Sequence, residues 1–109
     1  MSERSAALLI DDILEAASKI ASYTAGMTRE DFVSSGMAAD AVVRNLEIIG
    51  EAANRLPKDF TDKHPKIEWR KVIGLRHRIV HDYFGVDLDI IWAVTRQDLP
   101  DFISQITTL

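Results

Sequence analysis

The segment from Met37 to Leu56 sets the tightest constraint on how this chain folds. Its apolar residues recur every three or four positions, as they do along one side of an α-helix. Pro57 follows the segment and ends the pattern. The segment therefore predicts a long amphipathic helix that buries one side against other helices. The residues of this apolar stripe are Ala38, Val42, Leu46, Ile49, Ala53 and Leu56.

The other side of the same helix carries charges of both signs at three- and four-residue intervals. This spacing favours ion pairs along a surface that faces solvent. Arg44 and Glu47 are also candidates to face a cleft or a partner protein, although exposure to solvent is the favoured interpretation. The charged residues are Asp40, Arg44, Glu47, Glu51 and Arg55.

The N-terminal third predicts two more helices. A first helix with apolar residues at helical spacing should stop near Gly26. Thr28, followed three residues later by Asp31, resembles the capping arrangement of a short second helix, which we expect to end at Gly36. The apolar residues of the first helix are Leu9, Ile13, Ala16, Ala17 and Ile20.

The C-terminal half continues the helical pattern after a polar stretch. Pro57 to Pro65 predicts a loop, or a loop with one irregular turn. We expect a helix from Trp69 to about Tyr83 and another helical region that starts at Asp87. Asp98, with Pro100 two residues later, predicts the cap of a separate final helix.

Composition agrees with a single globular unit. The 109 residues are 47% hydrophobic and 28% charged, which is a globular balance. No segment alternates as a strand does, so we predict an all-α, small antiparallel helical bundle of four to five helices that forms one domain over residues 1–109. The net charge of −4 would repel a phosphate backbone, so any nucleic-acid role must depend on a local basic patch.

The N-terminal sequence MSERSAALLIDDILEAA contains only a short apolar run. Asp11 and Asp12 come after five apolar residues, too soon for the core of a signal peptide or a membrane span. The chain has no cysteine, which fits a reducing compartment. We therefore expect a soluble cytoplasmic protein with no membrane partner.

The segment LRHRIVHDYF, residues 75–84, is unusually rich in charged and titratable side chains, with two Arg, two His, one Asp and one Tyr. Arg76 and His81 are five apart, so on an ideal helix they point about 140° away from each other. They share one pocket only if the helix end deforms at its exit, or if a second copy of the chain completes the pocket around a two-fold axis.

His77 and His81 lie four residues apart and share a face, which raises the alternative of a zinc site. The Glu of the H-E-x-x-H pattern is missing, and the neighbouring Arg76 and Arg78 disfavour a dication. We therefore predict no metal.

Arginine and histidine together suit phosphodiester cleavage in RNA without a metal ion. A histidine can take a proton from the 2′-hydroxyl or return one to the leaving 5′-oxygen. An arginine can bind the phosphate oxygens on which charge develops. The residues alone leave a structural alternative open, because both types also stabilise helix C-termini by capping carbonyls.

A family resemblance favours the catalytic interpretation. Arg76, His81 and Tyr83 match the R-x-x-x-x-H-x-Y motif of the HepT toxins, a branch of the HEPN (higher eukaryotes and prokaryotes nucleotide-binding) superfamily. The stretches VVRNLEIIGEAANRLP (42–57) and WRKVIGLRHRIVHDYFGVDLDIIWAVTRQDLP (69–100) also resemble the family. The resemblance covers roughly residues 5–107. The family most often has Asn after the motif arginine, and this chain has His77.

The resemblance implies a function and a set of roles. Arg76 and His81 would be the ribonuclease pair of a HEPN-like homodimer whose two protomers share one cleft, and His77 and Arg78 are candidates for positioning the RNA, whether transfer RNA or messenger RNA. Tyr83 corresponds to the tyrosine on which a cognate MntA-like minimal nucleotidyltransferase antitoxin places AMP units from ATP. No cofactor is implied. The alternative is a non-catalytic HEPN subunit that binds a nucleotide, or presents a substrate to a nucleotidyltransferase partner.

Overall fold

The chain folds into α-helices joined by short connections. In the computed structural model the described residues are 4–81 and 87–109, and for residues 76–81 the description covers the backbone only. None of these residues lies in a β-strand, so the predicted all-α bundle is confirmed. The helices are α1 (Ala6–Thr24), α2 (Arg29–Ser34), α3 (Gly36–Arg55), α4 (Lys58–Asp62), α5 (Trp69–His81), α6 (Leu88–Ala93) and α7 (Leu99–Ile106), with a π-helical segment (Val94–Asp98) between the last two.

Helix α3 is the centre of the bundle. It packs against α1 on one side and α5 on another, and α2 also contacts it. Val42, Leu46 and Ile49 in its apolar stripe are almost fully buried, as the periodicity predicts. The charged side forms the expected pairs along the helix, with Arg55 Nε 3.1 Å from Glu51 Oε1 and Arg44 Nη1 4.0 Å from Glu47 Oε2.

The turn from α1 into α2 follows the sequence prediction. Gly26 has φ of +74°, a conformation that glycine adopts at little cost. The Thr28 hydroxyl accepts a hydrogen bond from the Asp31 amide at 3.1 Å, and the Asp31 carboxylate accepts one from the Thr28 amide at the same distance. This reciprocal pair is the capping box that the sequence indicates.

The predicted role of Gly36 is wrong. Helix α2 ends at Ser34, and the Ser35 hydroxyl accepts a hydrogen bond from the Ala38 amide, which makes Ser35 the N-cap of α3. Gly36 is therefore the first residue of α3 and does not terminate α2. Serine is a stronger N-cap than glycine because its hydroxyl accepts a bond from an amide that has no helical partner.

The predicted loop after α3 contains a regular helix, α4. Pro57 precedes it, where its fixed φ favours a helix start. Lys58 Nζ lies 2.7 Å from Asp62 Oδ2, one helical turn later. The short helix is therefore supported by local interactions that composition alone does not reveal.

The predicted cap at Asp98 is also wrong. Asp98 has helical dihedral angles and makes no side-chain cap, and the chain is helical without a break from Leu88 to Ile106. A proline inside a helix clashes with the carbonyl four residues earlier, here that of Arg96. The wider π-helical segment ends two residues before Pro100 and includes Arg96, so the helix continues. Asp87, in contrast, caps α6 as predicted, accepting a hydrogen bond from the Asp89 amide at 2.9 Å.

Among the described residues, no helix has both the length and the apolar character needed to cross a lipid bilayer.

Candidate functional site

The backbone of α5 carries most of the predicted site. Arg76, His77, Arg78 and His81 lie in its last two turns, and their side chains are outside the described part of the structure. Tyr83 lies outside the described residues altogether. Helix α5 is α-helical from Trp69 to His81, so the angle of about 140° between positions 76 and 81 applies. One straight helix therefore does not bring these two positions to the same side.

The two positions also continue different faces of α5. Seven residues make nearly two turns of helix, so Arg76 is in register with Trp69, which is 8% exposed. His77 is in register with Arg70, which is exposed, and His81, eleven residues after Arg70, falls on the same line. The helix thus places Arg76 in register with a buried residue, and both histidines in register with an exposed one.

The start of α5 is held by Trp69. Its indole Nε1 donates a hydrogen bond to the carbonyl oxygen of His64 at 3.2 Å, and its amide donates one to the carbonyl of Ile67 at 2.9 Å. The indole also meets the ring of Phe102 edge-on, with centroids 5.9 Å apart. These contacts fix where α5 begins relative to α7, and hence where its motif positions lie. From the sequence alone, Trp69 is recognisable only as the start of a helix.

His64 takes part in aromatic packing and in a backbone hydrogen bond. Its ring lies 4.9 Å from that of Phe60, and its carbonyl receives the Trp69 indole. Within the described part of the chain, no three His, Asp or Glu side chains are close enough together to share a metal ion.

A groove of about 520 Å³ runs beside α5, between it and the C-terminal helices. Its floor is apolar and includes Val72, Leu75 and Phe102. Its rim carries three carboxylates, those of Glu68, Asp98 and Asp101, and one amine, that of Lys71. Because the carboxylates outnumber the amine, this groove disfavours an anionic ligand such as RNA.

A second groove, of about 460 Å³, lies between α1 and α3 and is strongly charged. Arg4 binds Asp12 through two hydrogen bonds of 2.7 and 2.9 Å, and these bonds hold the pKa of Asp12 below its usual value. Lys19 lies 3.7 Å from Glu15. Arg44 and Glu47 also line this groove and pair with each other, so its cations are balanced by carboxylates and the expected pairing on α3 is confirmed.

Comparison with known proteins identifies the family. The profile described as "Ribonuclease HepT-like" matches residues 13–109. The chain is 37% identical over 100 residues to "Putative RNase MJ1380" of Methanocaldococcus jannaschii, covering 92% of each chain. It is 41% identical over 91 residues to "Probable ribonuclease HepT" of Thermococcus cleftensis, covering 84% of this chain and 83% of that protein. It is 38% identical over 97 residues to "Putative RNase TTE0752" of Caldanaerobacter subterraneus, covering 89% and 87%.

No solved structure matches the chain significantly. The family profile spans nearly the whole chain, the relatives match it over most of their own length, and the all-α bundle agrees with both. The chain therefore belongs to the HepT-like ribonuclease family, and it is an enzyme of the HEPN ribonuclease type.

Proposed function

We propose that this protein is the toxin of a toxin-antitoxin pair, and that it cleaves RNA internally without a metal ion. The observation that carries the proposal is the complete motif set of Arg76, His81 and Tyr83 in a chain that belongs to the HepT-like ribonuclease family. The regular helix beneath the first two residues supports the proposal, because it separates them by an angle that calls for a second protomer.

The chemistry requires no nucleophile from the protein. The 2′-hydroxyl of the RNA attacks the adjacent phosphorus, and the bond from phosphorus to the 5′-oxygen breaks. His81 takes the proton from the 2′-hydroxyl or supplies one to the departing 5′-oxygen. Arg76 stabilises the extra negative charge on the phosphate oxygens of the transition state. The products are a 2′,3′-cyclic phosphate and a 5′-hydroxyl end.

A two-fold homodimer completes the site in this proposal. With positions 76 and 81 about 140° apart on one α5, a pocket between two copies of α5 can receive Arg76 from one protomer and His81 from its partner. Such an isologous arrangement produces two equivalent pairs at one interface.

Regulation in this proposal acts at Tyr83. A nucleotidyltransferase antitoxin of the MntA type transfers AMP from ATP to the tyrosine hydroxyl and releases pyrophosphate. The added groups are bulky and anionic, and they sit two residues from His81. They block the cleft and repel RNA phosphate, which is how a charge-changing modification inhibits a nucleic-acid enzyme.

Induced expression in cells that lack the antitoxin tests the proposal, with growth and total RNA integrity scored together. We expect wild type to arrest growth and fragment RNA, and His81→Ala to do neither while remaining soluble. His64→Gln is the matched histidine control and should stay toxic, because the His64 ring contacts Phe60 away from the motif. Normal growth and intact RNA with soluble, unmodified wild type would support the non-catalytic subunit instead.

A further inference from the structure

The positive charge of this acidic chain is concentrated in one segment. Residues 58–81 contain seven of the thirteen Lys and Arg residues and all three His, against three of the seventeen Asp and Glu. The segment has a net charge of +4 with neutral histidines, while the chain as a whole has −4. A polyanion is therefore repelled by the rest of the molecule and attracted to this segment.

Among the cations of that segment whose side chains are described, three have no ion-pair partner. Lys63, Lys66 and Arg70 are exposed, and none of them is within ion-pair distance of a carboxylate in the described structure. Every other Lys or Arg whose side chain is described pairs with a carboxylate, except Arg96, which donates to backbone carbonyls. The three residues form what we call the basic track.

The basic track is held in place by the anchor at the start of α5. The Ile67 amide donates to the His64 carbonyl at 3.2 Å, and the Trp69 indole donates to the same oxygen. Both Ile67 and Trp69 are buried. Lys66 lies in this anchored turn, Lys63 directly precedes it as the C-cap of α4, and Arg70 follows it in the first turn of α5. The anchor therefore reduces the backbone entropy that binding a ligand would cost.

Arg70, the one residue of the basic track that lies on α5, shares a line of that helix with the motif histidines. Arg70 is in register with His77 and His81, and its backbone lies roughly 16 Å from that of His81 along the helix axis.

We propose that the basic track binds RNA phosphates away from the cleaved bond and guides the strand along α5 to His81. This inference rests on the proposed ribonuclease function and names the surface that holds its substrate. Exposed, unpaired cations suit the RNA backbone because binding there releases counterions without breaking existing ion pairs. Phosphate contacts position a strand and carry no sequence information, so the track contributes equally for every RNA sequence.

A matched pair of triple variants tests the basic track. The test variant is Lys63→Gln, Lys66→Gln, Arg70→Gln. The control variant is Lys19→Gln, Arg44→Gln, Arg55→Gln, which makes the same change in net charge at exposed cations that line the α1–α3 groove. Binding of a single-stranded RNA is measured in the His81→Ala background over a range of salt concentrations, and cleavage is measured in the catalytically intact background.

We expect the track variant to bind RNA about tenfold more weakly at physiological salt, and its slope of log affinity against log salt to fall by about 2. Its KM for a long RNA should rise with kcat unchanged, and its cleavage of a dinucleotide, which is too short to reach the track, should match wild type. The control variant should bind RNA as wild type does.

The results that would overturn the basic track differ from the result that would refute the ribonuclease proposal. Unchanged affinity in the track variant, or equal loss in the control variant, would show that RNA is held elsewhere or by net charge alone. Wild type that binds anionic vesicles and not RNA would assign the surface to a membrane. Wild type that binds RNA through the track and never cleaves it would refute the ribonuclease proposal and leave the track standing.

Discussion

The indole nitrogen of Trp69 donates a hydrogen bond to the carbonyl oxygen of His64, with 3.2 Å between the two atoms. This bond joins the segment after α4 to the first residue of α5. It therefore sets the start of the helix on which Arg76 and His81 lie, and it holds the turn that carries Lys63 and Lys66. One side chain thus positions both the proposed catalytic helix and the proposed RNA-binding surface.

Trp69→Phe should lower the free energy of unfolding by about 1–2 kcal/mol. The variant keeps an aromatic ring against Phe102 and loses the indole donor, which leaves the His64 carbonyl without that bond. Trp69→Ala should lower the free energy of unfolding by about 3–5 kcal/mol, because it also leaves a cavity. Urea unfolding followed by far-ultraviolet circular dichroism measures both values. A loss close to zero for Trp69→Phe would show that packing alone, and not the hydrogen bond, fixes the residue.

Arg96→Lys should destabilise the protein by about 1–2 kcal/mol although the charge is kept. Arg96 Nη2 donates to the carbonyls of Thr24 and Met27 at 2.9 and 3.3 Å, and the guanidinium lies 4.2 Å from the centroid of the Trp92 ring. A lysine ammonium cannot reproduce this planar contact together with both hydrogen bonds. The midpoint of chemical unfolding is the measurement. Arg44→Lys, at an exposed ion pair, should change stability by less than about 0.5 kcal/mol, and a similar loss in both variants would contradict the prediction.

Thr95→Val should leave stability unchanged or raise it by about 1 kcal/mol. The Thr95 hydroxyl is buried in the π-helical segment and has no hydrogen-bond partner among the described residues, so a methyl group of the same shape removes an uncompensated polar atom. Thr24→Val is the control, because the equally buried Thr24 hydroxyl donates to the Ile20 carbonyl at 2.9 Å. The free energy of unfolding of Thr24→Val should fall by about 1 kcal/mol. Thermal unfolding that ranks the two variants in the opposite order would disprove the difference between the two hydroxyls.

Arg76→Lys should reduce RNA cleavage strongly. A guanidinium contacts two phosphate oxygens at once, and a lysine ammonium presents only a point charge. We expect kcat/KM for a long RNA to fall by about tenfold or more while the unfolding midpoint changes little. Wild-type rates from this variant would mean that Arg76 caps the helix end and does not stabilise the transition state.

The sequence alone could predict the features that depend on neighbours along the chain. The buried stripe of α3 follows from a period of 3.6 residues, and the capping box of Thr28 and Asp31 depends on groups three residues apart. Predictions from the local sequence were wrong where one residue type is compatible with two local structures. Gly36 can end a helix or begin one, and a proline after Asp98 indicates a new helix unless the preceding turn widens.

The candidate site also combines features that the sequence predicts with features that only the structure shows. The motif of Arg76, His81 and Tyr83 is visible in the sequence because its spacing is fixed, and the excess of positive charge in residues 58–81 could have been counted there as well. The sequence could not show which of those cations lack an ion-pair partner. Lys58 and Lys71 form ion pairs. Lys63, Lys66 and Arg70 form none with the described residues, and pairing depends on where side chains meet in space.

The sequence by itself thus determined the all-α fold class, the long helices and the family, because each depends on the spacing of residues that are close along the chain. Only the tertiary structure decided that Trp69 is anchored to His64 and buried beside Phe102. It alone also showed that Lys63, Lys66 and Arg70 are exposed and have no ion-pair partner among the described residues. The Trp69–Phe102 contact joins elements distant in the chain, and no periodicity encodes it or the pairing of the cations.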